Sequence, residues 1–123
     1  MKKQTLTLFN LIAQTIFDKK GSNILVLDVR EITALTDYVI IAEGNVDRHV
    51  KSIAQAVIEQ MKDVQIRPLH VEGKENGDWI VIDFVDIVVH LFMPQIRQKY
   101  QLEKLWQKAK IVDVDINIES DLL

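Results

Sequence analysis

The sequence predicts an α/β fold in which a mixed β-sheet of about five strands carries helices packed on it. Three observations point there. Two segments, Thr5 to Lys20 and Val46 to Lys62, repeat apolar side chains at helical spacing. Short runs rich in Val, Ile and Leu lie between turn signals. The two kinds of segment alternate loosely, in the order α-β-β-α-β-β-β-α once a last helical stretch is included, and that order suits helices layered on a sheet.

In the first helix Phe9, Ile12, Ala13, Ile16 and Phe17 make one apolar stripe. Thr5 is placed to cap it, Gly21 follows its end, and Lys19 and Lys20 suit the negative end of its dipole. Ile24 to Val29 reads as a strand so apolar that both its faces are expected to be covered. A loop holding Arg30, Glu31, Thr33 and Thr36 leads to a second strand, Asp37 to Ala42, and Glu43-Gly44-Asn45 is a turn. In the second helix Val46, Val50, Ile53, Ala54, Val57, Ile58 and Met61 repeat at 3–4 residue spacing, with Asp47, Arg48, Lys51, Glu59 and Lys62 on its other side. Ile66 to Val71 is a third strand, and Pro68 within it demands an edge position or an irregular start.

Asp78 to Phe92 then gives two strands back to back. A two-residue turn at Phe84-Val85 sets Asp83 across from Asp86, Ile82 across from Ile87, and Trp79 across from His90. Val85 is a poor residue for such a turn, which wants φ > 0. Met93-Pro94 ends the hairpin, and Ile96 to Lys108 reads as a last helix. At 100° per residue its Leu102 and Trp106 face together with Leu105 near them, while Tyr100 points well away. From Lys110 onward Asp113, Asp115, Glu119 and Asp121 alternate with apolar residues. The expected organisation is a single domain over 1–109 and a mobile acidic tail over 110–123.

Hydrophobic residues make up 48% of the 123 and charged residues 27%, so one domain with a real core is expected and disorder is not. A net charge of -3 and a pI of about 5.6 argue against a general electrostatic grip on nucleic acid. There is no cysteine, which excludes disulfides, thiolate zinc sites and cysteine nucleophiles. No apolar run approaches the roughly 18 residues that span a bilayer. Met1-Lys2-Lys3-Gln4 leads into a stretch broken by Asn10 and Gln14, which reads as a folded helix rather than a signal peptide. A cytoplasmic protein with no membrane partner is the expectation.

Several polar groups invite chemistry. Asp83 and Asp86 converge on metal ions only if the turn between them is tight. Gly44-Asn45-Val46, ahead of the second helix, is a weak phosphate-binding signal. His49, His70 and His90 lie on three different elements, and nothing in their spacing brings them together on a metal. Arg30, Arg48, Lys51, Arg97, Lys99 and Lys104 offer a basic face to RNA, or simply a solvated one. Tyr100 and Arg97, outside the core stripe, are residue types enriched at protein interfaces.

Taken in order from Leu8 to Trp106, a set of segments resembles the ribosomal silencing factor (Iojap-like) family. They are Leu27-Asp28-Val29, Thr36-Asp37, Arg48-His49-Val50 with Ser52-Ile53-Ala54, Glu72-Gly73, Asp78-Trp79-Ile80-Val81-Ile82-Asp83, Asp86-Ile87-Val88-Val89-His90 and Tyr100-Gln101-Leu102-Glu103-Lys104-Leu105-Trp106. The resemblance implies a mixed α/β, nucleotidyltransferase-like topology without catalysis, cofactor or metal. It implies binding to the large ribosomal subunit through a ribosomal protein at the subunit-joining face, with at most minor contact to ribosomal RNA. The bound factor blocks association with the small subunit and represses translation. Trp79, Asp86 and His90 on the hairpin, and Arg97, Tyr100, Leu102, Glu103 and Trp106 at the end, match motif positions and are the expected partner-binding residues. The exposed members form the contact face, and Leu102 and Trp106 partly hold the helix down. Val46 stands where relatives usually carry a small hydroxyl residue, and Val85 where glycine is frequent. Two alternatives stay open: a metal-dependent, nucleotidyltransferase-like enzyme using Asp83 and Asp86, and an RNA-binding assembly factor for the large subunit. Monomer and homodimer are both compatible with the sequence.

Overall fold

The computed structural model describes the backbone of residues 2–117 and the side chains from Leu8 onward. Its first helix, α1 (Lys2–Asp18), begins ahead of Thr5, so Thr5 is not the cap; its side chain lies outside the described residues. The helix ends in a Schellman motif: Lys20 N–H donates to the Phe17 carbonyl at 2.9 Å and Gly21 N–H to the Ile16 carbonyl at 2.8 Å. The left-handed residue is Lys20, φ 67°, one position before the glycine. Gly21 is needed for a different reason, because a Cβ there would run into the Ile16 side chain.

Helix α2 (Asp47–Asp63) has Val46 at its N-cap and no side-chain cap. His49 compensates. Its Nδ1 accepts the Asn45 N–H at 2.8 Å, so the ring proton sits on Nε2, which faces the Lys19 carbonyl at 2.7 Å. One imidazole thus joins the start of α2 to the end of α1.

Among the described residues six strands form one mixed sheet: β1 (Ser22–Asp28), β2 (Tyr38–Glu43), β3 (His70–Glu72), β4 (Trp79–Asp83), β5 (Ile87–Phe92) and β6 (Lys110–Ile111), in the order β3-β4-β5-β2-β1-β6. The β2/β5 pair is parallel and the others are antiparallel. The third strand is at the sheet's edge but is shorter than the expected Ile66 to Val71: it starts at His70, and Pro68 lies outside it.

Alternation along the strands sorts the side chains onto two faces. Tyr38, Ile40, Ala42, Ile80, Ile82, Ile87, Val89 and Leu91 meet Phe9, Ile12 and Ile16 of α1 and Val50, Ile53, Val57 and Met61 of α2 in the main core. On the opposite face Leu27, Val29, Val39, Ile41 and Phe92 form a smaller cluster. Ile96, Leu102, Trp106 and Ala109 pack down on it from the C-terminal segment.

Three expectations are corrected. The hairpin register places Trp79 across from Phe92, Val81 across from His90 and Asp83 across from Val88. The loop is Val85-Asp86, closed by Phe84 N–H to the Ile87 carbonyl at 2.9 Å, and Val85 (φ 76°) lies at the centre of a γ-turn, with Asp86 N–H on the Phe84 carbonyl at 3.0 Å. Shifting the loop by one residue moves each partner by two, so every side chain keeps its face. The last helix is interrupted: α3 (Pro94–Tyr100) ends at Gln101, φ 48° and ψ 53°, and a 3-10 helix follows over Leu102–Trp106. The break turns Leu102 and Trp106 onto the sheet and leaves Leu105 69% exposed, rather than beside them. The segment expected as a mobile tail is packed as far as Asn117. Val112 N–H donates to the Val26 carbonyl at 2.8 Å, Asp115 and Asn117 N–H donate to Asn10 and Gln14 of α1, and Val112, Val114 and Ile116 pack against the main core. Glu119 and Asp121 lie outside the described residues.

Candidate functional site

The second face of the sheet is covered over β1, β2 and the Trp79 and Phe92 end of β4 and β5. Beyond that end the side chains of Val81, Asp83, Val88 and His90 are half-buried, and among the described residues no helix or strand covers them. A free sheet face bearing aromatic and charged groups is where an interaction site is expected.

At the Trp79 end four rings gather. The indole lies 4.8 Å from the Phe92 ring and 5.1 Å from the Tyr100 ring, centroid to centroid, both tilted. His90 and Phe92 are stacked at 6.2 Å. Trp79 Nε1–H donates to His90 Nδ1 at 3.1 Å, which requires that nitrogen to be unprotonated. Burial pushes His90 down to about 4, so the acceptor lone pair is available at neutral pH. The hydrogen bond fixes the indole plane, and Tyr100, 52% exposed, stands against it at the end of α3.

Arg97 holds that end of α3 in place. Its Nη1 donates to the Asn23 carbonyl at 2.6 Å and to Glu43 at 3.1 Å, and its Nε donates to Glu103 at 3.0 Å. Asn23, φ 52°, sits in the register irregularity of β1 that presents this carbonyl. The guanidinium and Glu43 are 11% and 13% exposed, so this is a nearly buried clamp tying α3 to β1 and β2. Glu103 Oε1, the other oxygen of the carboxylate that Arg97 holds, and Trp106 Nε1 are buried with no hydrogen-bond partner among the described residues.

The structure therefore brings Trp79, His90 and Tyr100 into contact and places Arg97, Glu103, Leu102 and Trp106 around and beneath them. Asp86 stands apart, exposed in the loop at the far end of the hairpin, where its carbonyl receives Asp37 and Tyr38 N–H. Sequence reasoning missed Phe92, although its spacing of two from His90 on one strand was available. It also missed the loop residues Thr33, Leu35 and Thr36, which approach the open face beside Trp106. Among the described residues no three His, Asp or Glu side chains converge to hold a metal ion, and no helix is long and apolar enough to cross a membrane.

Residues 2–121 match the family model of RsfS, ribosomal silencing factor during starvation. This chain belongs to the RsfS family. It is 34% identical over 112 residues to the ribosomal silencing factor RsfS of Bacillus subtilis, covering 91% of this chain and 95% of that protein. It is 35% identical over 100 residues to RsfS of Chromobacterium violaceum, covering 81% and 82%. It is also similar to mouse mitochondrial assembly of ribosomal large subunit protein 1, at 28% identity over 93% of this chain and 51% of that one. Among solved structures, a Chromobacterium violaceum protein matches with a TM-score of 0.80 at 31% identity, over 90% of this chain and 92% of that one. A Bacillus halodurans protein matches at 0.79 and 31%, over 88% and 98%. The RsfS membership and these neighbours agree with the mixed α/β sheet described above, and they make this a ribosome-related protein by family.

Proposed function

We propose that this chain binds the large ribosomal subunit through the open sheet face and its aromatic corner, and there blocks association with the small subunit, repressing translation in the cytoplasm. The observation that carries the reading is the Trp79–Tyr100 pair, a rigid aromatic contact at 5.1 Å whose phenol is 52% exposed. Aromatic anchors of this kind dominate the energetics of protein interfaces. The family membership supports a ribosomal partner. The receiving group is a ribosomal protein at the subunit-joining face, with ribosomal RNA in a minor role. Such proteins are mostly basic, and a net charge of -3 suits them. Steric exclusion needs no reaction and no cofactor. An interface of roughly 800 Å² per partner is enough for specific binding.

The name of the mouse relative favours a second reading, a role in assembly of the large subunit. The two separate in one experiment. Purified large subunits are sedimented with the protein, and small subunits are then added under joining conditions. The chain is expected to co-sediment and to lower the yield of joined particles, and Trp79→Ala and Tyr100→Ala are expected to weaken both effects. Co-sedimentation with undiminished joining at saturation would leave the assembly reading and remove the silencing one.

A further inference from the structure

Beyond the aromatic corner, the open face deepens into a groove of about 340 Å³. Thr33, Leu35 and Thr36 of the β1–β2 loop, Trp106 of the 3-10 helix and Val39, Asp83, Val88 and His90 of the sheet line it. It is at the small end of ligand pockets, which run from roughly 300 to 1,000 Å³. That suits a single long side chain better than a helix or strand.

The chemistry of the groove is specific. Its walls are mostly apolar, and Leu35 is 89% exposed at the lip. Asp83 supplies the one carboxylate. Its Oδ1 accepts the Val85 N–H at 2.8 Å, and among the described residues no Lys, Arg or His lies within ion-pair distance of it. His90 is held neutral by burial and by the indole bond, so it does not balance that charge. On β3, His70 stands across from Asp83, and Glu72, two residues on, adds a second carboxylate to the same face. An apolar slot ending on an unpaired carboxylate fits a cation on an aliphatic stem. Arginine fits best: its stem suits the apolar lining, its planar head can stack on the Trp106 or His90 ring, and its paired N–H groups suit the carboxylate. A phosphate would be repelled by Asp83 and gains nothing from the apolar walls.

We infer that this groove is the specificity pocket of the docking face and takes an arginine side chain projecting from the ribosomal protein. The inference rests on the docking reading above, and the groove joins the aromatic corner through His90, which lines the one and bonds to Trp79 in the other.

The test measures the affinity of Trp79→Ala, Asp83→Asn and Leu35→Ala for purified large subunits at several salt concentrations. Asn keeps an acceptor for Val85 N–H, and Leu35 is exposed, so both groove variants should fold; urea midpoints verify this. Asp83→Asn is expected to weaken binding by about tenfold or more, as loss of a charge-assisted pair does, and to flatten the salt dependence. Leu35→Ala is expected to weaken it several-fold, and the double variant less than additively, since both residues hold one side chain. A photo-crosslinker at position 35 is expected to capture a ribosomal protein at a peptide containing arginine. If Trp79→Ala loses affinity while both groove variants bind as the parent does, the docking face stands and the pocket is overturned. If all three bind normally, both ideas fall. Crosslinking to ribosomal RNA, or a shift in self-association without loss of subunit binding, would also overturn the arginine assignment.

Discussion

Replacing Val85 by glycine should stabilise the fold. Val85 occupies the centre of a γ-turn at φ 76°, a region where a β-branched residue is a true outlier. Strain of this kind is on the order of 1–3 kcal/mol, and two γ-methyls on the Cβ put valine towards the upper end. Against that stand two losses. The side chain is 52% exposed, so removing it sacrifices about half of a valine's burial, roughly 0.7 kcal/mol. Glycine also loses more conformational freedom on folding, about 0.5–1 kcal/mol. The net expectation is a gain of about 1 kcal/mol, or about 3–5 °C in Tm for a chain of 123 residues. Urea unfolding followed by tryptophan fluorescence measures it, with Val85→Asn as a control that also tolerates positive φ. A glycine variant equal to or less stable than the parent would refute the strain argument.

Three further outcomes are expected. Val114→Ala with Ile116→Ala should destabilise by about 1–2 kcal/mol in urea, because both side chains pack against the main core; a free tail would give no change. His90 is pushed down to about 4 against an ordinary 6.5, so the unfolded chain binds a proton that the folded one refuses. Its contribution is full above pH 6.5 and is lost as pH falls towards 4, on the order of 3 kcal/mol over that window; a His90→Asn variant should show a flatter stability profile between pH 7 and 4.5. Arg97→Ala should cost about 2–3 kcal/mol in urea, since it strands Glu43 at 13% exposure, and Arg97→Lys should restore only part of it.

Much of this was legible because period and alternation are local. The stripe Phe9, Ile12, Ile16 gave α1 its buried side, and alternation put Trp79, Asp83 and His90 together on one face. The register error at the hairpin came from Val85, whose positive φ contradicts its local preference and moves the loop one residue on. The break at Gln101 has no glycine or proline to announce it. It is held by partners distant in sequence, Asn23 and Glu43 on Arg97 and the sheet beneath Leu102 and Trp106. Alternation after Lys110 was visible, but the edge of β1 and the Asn10 and Gln14 side chains that receive that segment lie about a hundred residues away. For the same reason the groove was invisible: Leu35 reads as an ordinary loop residue until Trp106 is set beside it.

The parallel pairing of β2 with β5 has a consequence for when the proposed docking face comes into being. It joins a half-sheet of β1, β2 and β6 to a half-sheet of β3, β4 and β5, and the strands it links are separated by the whole stretch from Glu43 to Ile87. The β1–β2 and β3–β4–β5 pairings form from near neighbours, whereas this join, like the still more distant pairing of β6 with β1, must first close a long loop, which places both late in folding. Phe92 and Trp79 belong to one half and the clamp on Asn23 and Glu43 to the other. A chain still emerging during synthesis therefore has no aromatic corner to offer, and the surface proposed for docking arrives only once these long-range joins are made.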